Sequence, residues 1–336
     1  MLPPRWVRRV LVAPAVGVGI TFGLVSAPLW LLGAAAMSPL LPGRWRPLRF
    51  FWFVAVYAAM ELACLVALLG LWLASGFGVA IQAPWSQRAH YWVIRWFLRV
   101  LEWEARRVLQ VRVVVEGPRP SEYRGRPMVV MARHAGLGDS FLVVHSLMNW
   151  YGREPRIVLK DTLQWDPAID IVLNRLPNRF IAPDPGAAGA AVERHIAELA
   201  AKLDQDDALV IFPEGGNFTA RRRLRAIERL RQRGQHHAAA QAERMENVLA
   251  PRPGGVTAAL RTANDADAVF VAHTGLEHLD SVADLWRGLP MDTEVRMHWW
   301  RIPAADVPRD DRAVAEWLFS WWQRLDDWVG EHRPVP

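Results

Sequence analysis

Two short runs combine residue type and spacing in a way that can support acid–base chemistry. The first is Arg133-His134-Ala135-Gly136-Leu137-Gly138-Asp139-Ser140. An imidazole and a carboxylate separated by a glycine-rich turn can fold onto each other. The carboxylate accepts from one ring nitrogen and fixes the tautomer; the other nitrogen then takes a proton from a hydroxyl. Plainer readings compete: Asp139 as a helix cap and His134 as a loop histidine. The second run is Leu209-Val210-Ile211-Phe212-Pro213-Glu214-Gly215-Gly216-Asn217. Gly215 and Gly216 permit close backbone approach and exposed N–H groups, which suits a phosphate or another anion. Glu214 can accept from a substrate hydroxyl or orient Arg221. A plain turn is the competing reading.

Both runs need strands to place them. From residue 111 onward, short apolar runs alternate with helical stretches. The runs Val111–Val115, Met128–Ala132, Arg156–Leu159, Leu209–Phe212, Val269–Ala272 and Thr293–Trp299 predict strands, being β-branched and bounded by Gly, Pro or Asp. Helices are predicted at about 139–150, 187–203, 222–248, 254–263 and 309–329. This alternation argues an α/β domain, with a sheet flanked by helices. Asp184-Pro185 and Pro253-Gly254 mark loops.

The chain ahead of it is different. Residues 10–43 carry no charge, and residues 50–87 carry one, Glu61. Each run exceeds the about 20 apolar residues that cross a bilayer core. A cleaved signal peptide is rejected because a second apolar run follows the first so closely. The reading is a membrane anchor over 1–87 with two hydrophobic segments, about 10–37 and 50–78, and both ends cytoplasmic. Pro14, Pro28 and Pro39 weaken the first segment as a simple helix. The basic cluster between the segments opposes a simple hairpin, so re-entry or burial in one leaflet stays open. Glu61 is either functional or near the interface. Residues 88–110 interleave Trp92, Trp96 and Trp103 with arginines and read as an amphipathic helix at the headgroup level or as an ordinary surface helix.

Composition removes several classes. The chain has 336 residues, enough for one catalytic-size domain plus an appendage. Its hydrophobic fraction of 52% excludes a disordered or purely polar binding protein. A single cysteine, Cys64, excludes a disulfide framework and a cysteine zinc site. No His/Asp/Glu set has metal-ligand spacing, so no metal is expected. The net charge is +6, and only Lys160 and Lys202 among the 40 basic residues are lysine. Anionic partners would therefore meet guanidinium groups. Seven arginines crowd residues 221–233; they suit phosphate, or form a solvated helix face. Nucleic acid is disfavoured by the membrane runs and the lack of a recognised module.

Together, His134-x4-Asp139 and Phe212-Pro213-Glu214-Gly215 resemble the glycerophospholipid acyltransferase family, specifically 1-acylglycerol-3-phosphate acyltransferases of the PlsC type. The resemblance covers about 111–300. Val158-Leu159-Lys160-Asp161 and Pro251-Arg252-Pro253-Gly254-Gly255 echo further family segments, and the anchor, tryptophan and arginine content look like an actinobacterial branch. The resemblance implies a glycerolipid-acyltransferase-like mixed sheet in a domain spanning 111–336. It also implies His134 and Asp139 as the catalytic pair, with no covalent acyl-enzyme and no cofactor beyond the acyl donor, acyl-CoA or acyl carrier protein. The acceptor would be lysophosphatidic acid, and the enzyme would sit in the cell membrane with its domain facing the cytoplasm. The implied substrate-binding residues are Lys160, Arg175, Arg179, Glu214, Gly215, Gly216, Arg221, Arg222 and Arg223. Two departures matter. The second family block carries its arginine after Phe-Ile, whereas Arg179 here precedes Phe180-Ile181. The third block continues Gly216-Asn217, not Thr-Arg, which passes its basic role to Arg221–Arg223. His273, near the fourth block, either touches substrate or is an inert strand-end histidine. Oxyanion donors are expected near Gly136–Gly138 or Gly215–Gly216. The alternatives are an acyltransferase acting on glycerol 3-phosphate or another lysophospholipid or glycolipid, a lipid hydrolase, and a non-catalytic lipid-binding adaptor.

Overall fold

The computed structural model describes residues 2–123, 125–136, 138–181, 188–277, 279 and 281–333. The Asp184-Pro185 loop pair and Leu137 lie outside the described residues. Two compact units are present. The first comprises Met1–Val111, Leu159–Asp184 and Val282–Thr293; the second comprises Arg112–Val158, Pro185–Ser281 and Glu294–Pro336.

The helices begin with α1 (Arg5–Val7), which continues through a π turn (Arg8–Val12) into α2 (Ala13–Val25). Then come α3 (Ala27–Met37), α4 (Arg46–Ala74), α5 (Pro84–Glu104), α6 (Asp139–His145) and α7 (Pro167–Leu173). The rest are α8 (Ala188–Ala200), α9 (Ala220–Gln232), α10 (His236–Arg244), α11 (Pro253–Thr262), α12 (Val282–Gly288) and α13 (Asp311–His332). The strands are β1 (Val111–Glu116), β2 (Met128–Ala132), β3 (Glu154–Lys160), β4 (Arg179–Ile181), β5 (Asp207–Ile211), β6 (Asp267–Thr274) and β7 (Thr293–Ile302). They form a seven-stranded sheet in the order β1-β7-β6-β2-β5-β3-β4. The β2–β5, β2–β6 and β3–β5 pairs are parallel, and β6–β7 is antiparallel. This is the mixed sheet flanked by helices that the alternation predicts.

The central strands β2, β5 and β6 are buried at every position. That is why they read as continuous apolar runs: parallel strands covered on both faces need no polar side. On one face, α8, α11 and α13 supply Leu199, Val256, Leu260, Leu318 and Trp322 to the core. Gly255 allows the close approach of α8 and α11, because a β-carbon there would lie 2.8 Å from Ile196 Cδ1. The loop expected at Pro253-Gly254 is instead the first turn of α11, where proline is tolerated because its missing N–H has no helical partner.

Several elements differ from the sequence expectations. The helix expected over 222–248 is two helices, because Gly234 adopts φ +70° and ends the first. The helix α7 carries a start signal that the sequence reading passed over: Asp166 accepts from the Ile169 N–H, and Pro167 follows it. The strand β4, at three residues, is too short to leave a pattern.

Within the first unit, the hydrophobic segment expected over 10–37 is broken at Ser26. Pro28 falls in the first turn of α3, where a missing N–H costs nothing, whereas Pro14 lies inside the continuous helical stretch Arg5–Val25, just after its π turn. Two helical stretches, Arg5–Val25 and Arg46–Ala74, are long and apolar enough to cross a bilayer. Glu61 is buried in α4, and its carboxylate accepts from the Ala168 N–H at the start of α7. Near the amino terminus, Arg8 pairs with Asp170 at 2.7 Å and also donates to Gln164.

Candidate active site

Parallel strands deliver their carboxyl ends to one edge of a sheet, where open α/β folds place ligands. Here Met131 lies opposite Ile211, and Ala132 lies opposite Val271. That register brings His134, just beyond β2, to the same edge as Glu214, just beyond β5, and His273, near the end of β6.

His134 Nδ1 is 2.8 Å from Asp139 Oδ2. Asp139 opens α6 directly after Gly138, whose φ of +94° makes the sharp entry. Its carboxylate is buried and fully used. Oδ2 also accepts from the N–H groups of Ala135 (2.6 Å) and Gly136 (3.2 Å). Oδ1 accepts from the N–H and the hydroxyl of Ser140. Burial works to raise the Asp139 pKa, but the hydrogen bond from His134 and the charge contributions of His273 and His134 outweigh it and hold the group at about 2. An ionised carboxylate at Nδ1 selects the tautomer with its proton there. Among the described residues, His134 Nε2 makes no hydrogen bond, and it is not buried, so this nitrogen is open to accept a proton.

The turn after β5 grips the backbone of His134 from both sides. Glu214 Oε1 accepts the His134 N–H at 3.2 Å, and the His134 carbonyl accepts from the Phe218 N–H at 2.8 Å. Glu214 Oε2 accepts the Leu249 N–H at 3.0 Å. Both of its oxygens are therefore taken by backbone donors, and the side chain ties three segments together. Burial pushes its pKa up to about 8, against the opposing pull of Arg133 and the two N–H donors. A carboxyl raised in the folded state stabilises fully below its ordinary value of 4.5. That contribution is lost as pH climbs through about 8. The thermal midpoint in detergent is expected to fall between about pH 5 and pH 8 and to level off above, with a shallower fall in Glu214→Gln. Parallel curves for the two proteins would show that another group titrates.

Behind His134, Arg133 is almost fully buried. It donates to the carbonyls of His273 (2.6 Å) and Asn247 (2.9 Å) and pairs with Glu277 at 2.7 Å. His273 is fully buried, donates from Nε2 to the Arg133 carbonyl at 3.0 Å, and stands 3.9 Å from Asp139. It is thus closed off from direct contact with a ligand in this arrangement. The sequence reading gave Arg133 no role, although an arginine directly following an all-apolar buried strand was a signal that something must neutralise it.

The other predicted residues are spread between the units. Lys160, Arg175 and Arg179 belong to the first unit. Lys160 is exposed at the end of β3. Arg175 donates to the Leu68 carbonyl at 2.7 Å and lies 3.1 Å from His90 Nε2. Burial, with Arg9 adding to it, lowers its pKa to about 10. Arg179 donates to the Asn178 carbonyl. Gly215 and Gly216 share the second unit with the His134–Asp139 pair. Arg221 is exposed; Arg222 reaches the Asn217 carbonyl at 3.0 Å; Arg223 is pinned to the carbonyls of Met245 and Glu243. Among the expected oxyanion donors, the Gly136 N–H is committed to Asp139 and the Gly215 N–H to the Phe212 carbonyl. The Gly216 N–H has no hydrogen bond among the described residues. Among those residues, too, no cluster of three or more His, Cys, Asp or Glu side chains could hold a metal ion.

The fold and this edge define an α/β domain carrying a histidine–carboxylate pair with one ring nitrogen open, an arrangement suited to moving a hydroxyl proton. Residues 112–270 match the family model described as Acyltransferase. The chain carries an acyltransferase domain there, and the His134–Asp139 pair and the Pro213-Glu214-Gly215-Gly216 turn both lie inside it. No curated protein and no solved structure matches the chain.

Proposed function

We propose that the protein transfers a fatty acyl group from acyl-CoA to the free hydroxyl of 1-acyl-sn-glycerol 3-phosphate, forming phosphatidic acid. The observation that carries this reading is the 2.8 Å His134–Asp139 contact with Nε2 left open, inside an acyltransferase domain. Nε2 takes the proton of the acceptor hydroxyl, and Asp139 balances the imidazolium that forms. The acceptor oxygen adds to the thioester carbonyl, and the carbon–sulfur bond breaks. The proton on Nε2 passes to the departing thiolate, which regenerates the base. The N–H of Gly216, without a hydrogen bond among the described residues, is a donor in the turn for a developing oxyanion. Arg221 and Arg222 supply cations for substrate phosphate. Two apolar helical stretches suit a chain that meets both lipid substrates in the cell membrane, with the domain on the cytoplasmic side where the donor is made.

The test offers labelled palmitoyl-CoA to membranes containing the protein, with lysophosphatidate or glycerol 3-phosphate. Label in phosphatidate that depends on lysophosphatidate supports the reading. Transfer to glycerol 3-phosphate alone changes the acceptor. Release of free fatty acid regardless of acceptor would mark a hydrolase instead. No turnover with properly inserted protein would overturn the proposal.

A further inference from the structure

The helix α4 is long enough to cross a bilayer, but polar groups from elsewhere in the first unit hold one side of it. Arg49 donates to the Val108 carbonyl at 2.7 Å, and Trp52 Nε1 donates to Glu104 at 3.2 Å. Further on, Glu61 accepts the Ala168 N–H at 3.2 Å, and the Leu68 carbonyl accepts from Arg175 at 2.7 Å. From Arg49 to Leu68 the helix rises about 29 Å, close to the thickness of a hydrocarbon core. If α4 stood across a bilayer, these partners would be strung through its whole depth.

The helix α5 would be drawn in with it. The two run antiparallel: Glu104 lies beside Trp52, and Val93 packs with Cys64. Yet α5 carries Arg88, Arg95, Arg99 and Glu102, and Arg88 and Arg99 are exposed. Charges at hydrocarbon depth are rare and face a protein interior or a water-filled cavity. Exposed arginines at two levels of α5 fit neither. Both ends of the apolar hairpin are also tied to polar stretches of the unit. Arg8 at its start pairs with Asp170, and Arg46 at its turn donates to the Leu289 carbonyl at 3.0 Å.

The outer surface is apolar. The helices α2 and α3 both pack along α4. On them Val18, Phe22, Val25, Leu29 and Leu32 recur four and three residues apart, which puts them on one helix face across the break at Ser26. Each is between 68% and 77% exposed. Exposed tryptophans stand at the ends of the apolar runs: Trp6 and Trp45 around the first, Trp85 after the second. Indoles favour the membrane–water boundary. A charge-free stripe bounded by indoles fits acyl chains, and the polar contacts along α4 restrict those chains to one leaflet.

We propose that the first unit is a monotopic anchor. Its helices α2, α3 and α4 lie in the plane of one leaflet, with the stripe from Val18 to Leu32 among the acyl chains, and neither apolar stretch crosses the bilayer. The sequence leaves crossing and burial in one leaflet open; the contacts along α4 separate them. The inference goes beyond the acyl-transfer reading and does not depend on it.

The experiment uses the full chain on a Cys64→Ala background, in nanodiscs of phosphatidylcholine and phosphatidylglycerol. Nitroxides are attached at Val18→Cys, Val25→Cys and Leu32→Cys, and their depths are read from relaxation by oxygen and by an aqueous nickel chelate. Melting curves establish that each variant is folded. The first and last labels are about 21 Å apart along the helix. Three lipid-exposed depths within about 10 Å of one another support the proposal, and a larger spread overturns it. Labels that meet only the chelate, or neither reagent, also overturn it, because lipid does not then cover the face. A second measurement applies an impermeant maleimide to spheroplasts and to inverted vesicles. Arg44→Cys, between the apolar runs, is expected to react in the same preparation as Thr162→Cys, in the stretch that holds Asp170. Any other labelling pattern overturns the proposal. Neither readout requires turnover, so the anchor can stand where the transfer assay fails and fall where it succeeds.

Discussion

Replacing His134 with alanine is expected to lower acyl transfer by about a thousandfold, within the about 10²–10⁴-fold that a positioned general base contributes. The loss should appear in kcat, because the side chain removed serves the reacting hydroxyl and not the anchoring of either substrate. The fold should survive. The His134 backbone makes the contacts to Glu214 and Phe218, and alanine keeps both. Initial rates and thermal midpoints of wild type and His134→Ala in the same membranes provide the check. An unchanged rate would remove His134 from the chemistry and favour a protein that binds lipid without turnover.

The Asp139→Asn substitution is expected to be comparably damaging for activity, by about 10³-fold or more, and to weaken the fold as well. The carboxylate accepts from five donors: three at Oδ2 and two at Oδ1. An amide keeps one oxygen and replaces the other with an NH₂ group. In one orientation the NH₂ faces the N–H groups of Ala135 and Gly136; in the other it faces that of Ser140. A buried donor left facing donors costs about 1–3 kcal/mol. The first orientation also reverses the imidazole, because Nδ1 must then accept and Nε2 must carry the proton. A base whose outward nitrogen is already protonated cannot take another from the acceptor. Measured kcat together with the denaturation midpoint would test both effects. Full activity with a lowered midpoint would reduce Asp139 to a loop staple.

Much of this site is legible in the sequence. The strands β2, β5 and β6 announce themselves because strands buried on both faces can carry no polar alternation. The turns that follow β2 and β5 announce themselves through glycine. What remained hidden depends on contacts between distant segments. Glu214 looks like a substrate ligand in sequence, since a glutamate after a buried strand at a glycine turn ordinarily faces a ligand. Only the approach of residues 249 and 134 reveals that backbone donors occupy it. His273 is ambiguous for the same reason, until its burial beside Asp139 is seen. The broken first hydrophobic segment was readable in part. Pro28 marks where α3 opens, and the break at Ser26 lies two residues before it.

The first compact unit is sewn from three stretches separated by long intervals of chain. That has a consequence for biogenesis. The carboxylate that pairs with Arg8 sits at position 170, and the last stretch of the unit begins at 282. A ribosome delivers the amino-terminal helices well before either partner exists. Early in synthesis, Arg8 must therefore rest against solvent or headgroups, with its ion pair unmade. Insertion and maturation become separate events for this chain. A nascent chain halted before residue 170 would hold its hydrophobic helices without the clasp that anchors their leading end, and protease access to the Arg5–Val12 region should close only after synthesis has passed that point.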